Sequence, residues 1–175
     1  MNVHPFIVHF PVALLSIYCL MELVRVRYLT SAPYWFYVKG SFVIIGASGA
    51  GAAYKSGEWA KELLGDNGLE QLIETHARWA KLSTLLFGLI AILYIAAWIS
   101  RSETLRKVEE WMGLNNLWLY TALKKTGNYL VDSFLMILPA LIGLAGIVIT
   151  GALGGAIVYG PDIDPFVRTI YDLLF

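Results

Sequence analysis

One cysteine in 175 residues, Cys19, lies inside an apolar run. A lone thiol closes no internal disulfide and builds no thiolate metal cluster, so Cys19 reads as packing. The chain also lacks a Walker-type loop, a dinucleotide fingerprint and a nucleophile set beside a base, which argues against a self-contained enzyme working on soluble substrates. Net charge is missing as well: 13 Lys and Arg balance 13 Asp and Glu, and charged residues make up only 15% of the chain. Neither end is basic enough to suggest nucleic acid as a partner. Histidine is scarce, with only His4, His9 and His76.

What fills the chain is apolar. Hydrophobic residues make up 58% and mean hydropathy is +0.63, far above a soluble domain of this length. Crossing a bilayer takes roughly 20 mainly apolar residues, and four segments qualify: 6–26, 38–54, 77–99 and 129–159. The expected fold is all-α, a single transmembrane domain over 1–175 forming a four-helix bundle in the lipid bilayer. The first segment is too long for a signal-peptide core and lacks a basic stretch before it, so it reads as retained.

Lys and Arg set the expected orientation, because loops rich in them tend to stay cytoplasmic. One side carries Arg25, Arg27, Lys39, Arg101, Arg106, Lys107, Lys124 and Lys125. The other, with loop 55–75 and both termini, carries Lys55, Lys61, Arg78, Lys81 and Arg168 among acidic residues that include Asp66. Both termini are expected outside, which places all three histidines in one external layer, with His76 opening the third helix.

Internal similarity sharpens the pattern. "HFPVALLS" from His9 and "HARWAKLS" from His76 share H, three residues, A, two residues, S. "GASGAGAAY", ending at Tyr54, and "GALGGAIVY", ending at Tyr159, share GA, one residue, G, four residues, Y. The order matches, so a 2+2 parallel repeat is expected, with His9 and His76 as mates. Positions i, i+4 and i+7 share a helix face, so His9, Ala13 and Ser16 should line one packing seam and His76, Ala80, Ser83, Phe87 and Ala91 another. His4 precedes Pro5 and is expected to be extended, flanking the helix. Pro11 withholds a helical donor from the Ile7 carbonyl, so irregularity is expected around His9.

"HPFIVHFPVALL", "ETHARWA" and "GALGGAIVYG" together resemble a family of small four-helix bacterial membrane proteins known as a domain of unknown function. The resemblance implies the bacterial inner (plasma) membrane and, through cytochrome c-like segments fused to some members, an association with respiratory electron transfer. Where family members often carry further histidines in the last motif, this chain has Thr150 and Tyr159.

Two functions remain open. In the first, His9 and His76 are the axial ligands of a haem b, Arg78 meets a propionate, and Tyr54 and Tyr159 form the edge. Gly46, Gly49, Gly51, Gly151, Gly154 and Gly155 give room for the macrocycle. The chain is then an electron-transfer subunit exchanging with cytochrome c, quinol or another respiratory subunit. In the second it is a cofactor-free scaffold, its histidines bonded to interfacial carbonyls and its glycines packing helices. A zinc site from the three histidines needs His4 to fold back. Glu22, Arg25 and Asp132 read as boundary anchors, with a proton path as the sharper alternative. Insert 100–128 is expected to lie amphipathically on the inner surface, with Leu105, Val108, Trp111 and Met112 on one side. The tail is expected to rest on the outer surface through Phe166, Ile170, Leu173 and Leu174.

Overall fold

A computed structural model describes residues 4–64 and 68–175. Asp66, counted among the acidic residues of loop 55–75, lies outside them. The described residues form eight α-helices: α1 (His4–Leu23), α2 (Arg27–Thr30), α3 (Pro33–Leu64), α4 (Glu70–Arg101), α5 (Glu103–Trp111), α6 (Trp118–Leu130), α7 (Ile137–Tyr159) and α8 (Pro165–Leu174). Four helical stretches are long and apolar enough to cross a membrane: His4–Leu23, Pro33–Glu62, Glu70–Arg101 and Phe134–Tyr159.

Local chemistry sets the boundaries, and several differ from the sequence expectation. The second span starts at Pro33, a residue preorganised for a first helical turn, and α3 runs on to Leu64. With α4 starting at Glu70, most of the expected external loop is therefore helix. His76 lies in the second turn of α4 instead of opening it. His4 is helical and starts α1, against the extended conformation expected before Pro5. Pro11 is accommodated without a break in that helix. The fourth span is interrupted: α6 ends at Leu130, Ser133 caps the next turn by accepting from the Leu135 amide, and α7 follows.

Insert 100–128 holds two helices, because Gly113 turns the chain at φ 67°. Ser102 caps α5, and α6 folds back onto α4, where Gly127 admits the Leu93 carbonyl. Glu109 of α5, buried, pairs with Lys124 of α6, and burial pushes the nearby Tyr120 phenol up. Leu105, Val108, Trp111 and Met112 stay exposed, as a membrane-surface element requires. Asp164 caps α8 through the Phe166 and Val167 amides. That helix presents Phe166 and Leu173 outward. Ile170 and Leu174, expected to face out as well, instead join Val167 against Leu72, Leu153 and Ala156.

Among the four long helices, contacts run from α1 to α3, α3 to α4, α4 to α7 and α7 back to α1. The core is aromatic at its centre: Tyr18, Phe87 and Tyr94 are all fully enclosed. The Tyr18 ring meets Phe87 and Tyr94 edge-on, and Phe36 stacks on Tyr94 at 5.6 Å, a geometry that adds to what burial alone contributes.

Candidate functional site

The antiparallel order of the long helices brings His4 and His76 to one end and Glu22, Lys39, Tyr94 and Arg101 to the other. Polar chemistry gathers at both.

At the histidine end, His76 Nδ1 lies 3.0 Å from the Thr150 carbonyl of α7. A carbonyl only accepts, so Nδ1 is the donor of this bond. His4 does the same toward α3: its Nδ1 lies 2.9 Å from the Ser56 hydroxyl, which itself donates to the Ala53 carbonyl, and that carbonyl also acts on the His4 ring. Each imidazole rests on a glycine. A methyl group on Gly57 would stand 3.1 Å from His4 Cε1, and one on Gly154 would stand 3.3 Å from His76 Cε1.

His9 is elsewhere. It sits on the exposed face of α1, its ring bonded to the Pro5 carbonyl of its own helix. Its expected seam is not packed, since Ala13 is also exposed. The reason is angular: Pro11, Leu15, Tyr18 and Glu22 define the buried face, and His9 lies about 140° around the helix from His4. The seam expected below His76 does form. Ser83 packs on Gly146, and a methyl on Gly143 would come within 2.5 Å of the Phe87 ring.

The remaining candidates scatter. Tyr54 lines a cavity of about 80 Å³ between α3 and α4, together with Gly57, Glu58, Lys61 and His76. Tyr159 is 73% exposed, and Arg78 points outward, paired with Glu74 at 3.4 Å. Gly51 and Gly151 face open space, while Gly46 and Gly49 are filled by Leu15 and Pro11. In this arrangement the His9 and His76 rings face different ways, the glycine seams hold the side chains of Leu15, Pro11, Ser83 and Phe87, and the cavity beside His76 is about 80 Å³. A three-histidine zinc site does not assemble, because His9 points away from the other two.

The basic end holds what the sequence reading underweighted. Glu22 has no exposed surface and Lys39 only 4%. Lys39 Nζ lies 3.0 Å from both Glu22 oxygens, and the Tyr94 hydroxyl donates to Oε1 at 2.5 Å. Two charges leave water here, a step repaid only by close geometry and further hydrogen bonds, and both are present. Lys39 opens onto a cavity of about 230 Å³ that Arg25, Arg101 and Asp132 also line. The signal available in the sequence was the lysine itself, six residues into an apolar helix.

Comparison with family models, with curated proteins and with solved structures finds no match.

Proposed function

We propose that this chain is a non-enzymatic integral membrane subunit, a four-span bundle made from two copies of one helix pair, which serves as a structural element of a larger membrane assembly. The observation that carries the reading is a duplicated set of contacts. His4, Pro11 and Leu15 meet Gly57, Gly49 and Gly46; His76, Ser83 and Phe87 meet Gly154, Gly146 and Gly143. The side-chain partners are 72 positions apart throughout and the glycines 97. Burial follows the same shifts. Leu15, Tyr18, Cys19 and Glu22 correspond to Phe87, Ile90, Ala91 and Tyr94, all buried, and Lys39, Val43 and Ser56 correspond to Met136, Ala140 and Leu153, likewise buried. Even the carbonyls that meet the two histidines, of Ala53 and Thr150, are mates.

This register differs from the one the short motifs suggest, which pairs His9 with His76 and Tyr54 with Tyr159. In the contact register His4 and His76 are interhelical locks, and a lock needs no cofactor. The mates Glu22 and Tyr94 touch each other, which puts them near the axis relating the two halves. The positive-inside rule then assigns the end bearing Arg25, Lys39 and Arg101 to the cytoplasm and both termini to the outside.

Electron transfer stands as a second reading, favoured by His9 alone. Its Nδ1 lies against the Pro5 carbonyl of its own helix and the residue is exposed, and an ionisable side chain on the outer face of an apolar helix is a functional candidate. On that reading His9 would hold a haem b together with a ligand supplied by another chain, a respiratory or cytochrome subunit.

Native electrophoresis in mild detergent tests the two readings together. The structural reading predicts a stoichiometric complex larger than the chain and its detergent, unaffected by His9→Ala and colourless at the haem Soret band. A Soret band present in the complex and lost in His9→Ala, but not in His76→Ala, selects electron transfer. A lone chain with neither partner nor chromophore contradicts both.

A further inference from the structure

We propose that the cavity at the basic end is a binding site for a phosphate group carrying one net negative charge. Three cations converge on it from separate parts of the chain: Arg25 just past α1, Lys39 in the second turn of α3, and Arg101 at the end of α4. Two carboxylates, Glu22 and Asp132, face them, so one positive charge is uncompensated.

The carboxylates are not shared equally. Lys39 and Tyr94 take up Glu22 at 3.0 and 2.5 Å, leaving Arg25 at 3.8 Å from its nearer oxygen and 3.4 Å from the Ser133 carbonyl. Neither is a good hydrogen bond. Arg25 Nε is enclosed and has no acceptor among the described residues, so the protein itself leaves this guanidinium short of acceptors. Arg101 meets Asp132 at 2.7 Å, but Asp132 is 63% exposed, so water screens that pair. Its guanidinium lies 3.9 Å over the Phe36 ring, which holds the planar fork against the cavity wall. Arginine forks match phosphate oxygens bidentately. The amino terminus of the 32-residue α3 opens at the same cavity, at Pro33, and adds the positive end of its dipole.

An acceptor-rich monoanion meets the exposed part of the Arg25 side chain, balances the third cation and needs no rearrangement of the Glu22–Lys39 pair. Trp35 lines the cavity, and Tyr28 and Tyr34 are exposed nearby in sequence, the aromatic content of a membrane–water interface. Basic pockets between spans at that depth take acidic headgroups. A phosphodiester headgroup and free phosphate share the recognising chemistry, and the test separates them.

The chain, purified in neutral detergent, is offered an equimolar mixture of phosphatidylglycerol and phosphatidylcholine, and retained lipid is counted by native mass spectrometry. In a parallel arm, inorganic phosphate is titrated while thermal unfolding is followed. A lipid headgroup ligand predicts selective retention of phosphatidylglycerol, falling about fivefold for each cation removed in Arg25→Gln and Arg101→Gln. Lys107→Gln, a change to an exposed residue of α5 at the same end, leaves it unaltered. Protection by inorganic phosphate without lipid selectivity assigns the same site to the soluble anion. Circular dichroism checks each variant, and Arg101→Gln alone, whose carboxylate partner is already in water, decides the matter where Arg25→Gln loses helix. Equal retention of the two lipids with no phosphate protection, or selectivity that survives both substitutions, overturns the proposal.

Discussion

Gly143 and Gly88 are both helical glycines in spanning segments, and their surroundings are opposite. A methyl on Gly143 drives into the Phe87 ring, while one on Gly88 meets nothing within 4 Å. Gly143→Ala should therefore destabilise by about 1–3 kcal/mol through overpacking, and Gly88→Ala should be neutral or stabilising by up to about 1 kcal/mol through helix propensity. Unfolding midpoints in a denaturing-detergent titration compare the two. The buried pair makes a second prediction at this scale. Lys39→Met leaves Glu22 without its main cationic partner and should cost about 3–5 kcal/mol, whereas Lys39→Met combined with Glu22→Leu should recover most of that loss. A double-mutant cycle by the same titration reads the coupling, and equal losses for the single and double variants contradict it. At the residue scale the sequence made His76 and its seam legible, because Ala80, Ser83, Phe87 and Ala91 follow one helix face. It misassigned His9, because the same spacing recurs on α1 along the face opposite Pro11, Leu15 and Tyr18, and spacing alone does not say which face turns inward.

At the scale of elements, apolar length identified four spans, and capping chemistry decided where they end. Pro33, Ser102, Ser133 and Asp164 were readable as caps or first-turn residues and would have corrected the second and fourth boundaries. The split of the insert at Gly113 depends on a left-handed backbone conformation that composition does not reveal. That split creates the α5–α6 hairpin, held by the buried contact between Glu109 and Lys124. Glu109→Ala should free α5 from α6 while leaving the spans intact. Hydrogen exchange should rise across Glu103–Trp111 by tenfold or more, about 1.4 kcal/mol of local opening, and remain unchanged in α4. Faster exchange spreading through α4 would mean that the hairpin is part of the core.

For the whole molecule, the asymmetry of Lys and Arg makes topology testable directly. In a Cys19→Ala background, a cysteine at Gly68 should react with an impermeant thiol reagent in intact cells and one at Asn115 should not; the reverse labelling inverts the proposed orientation. The proposed repeat showed in the sequence as two pairs of short motifs, but the register that the contacts favour did not. Short motifs of common membrane residues aligned His9 with His76, whereas contact and burial align His4 with His76. That difference separates two helix pairs locked by their histidines from a bundle that grips a macrocycle between them. The most direct measurement is the reduced-minus-oxidised absorption spectrum of the chain purified alone after haem-replete expression, for wild type, His9→Ala and His76→Ala. Locked helix pairs predict no Soret band in any of the three, with His76→Ala less stable because the Thr150 carbonyl loses its donor. A low-spin b-type spectrum in the wild type, abolished by either substitution, would contradict the account.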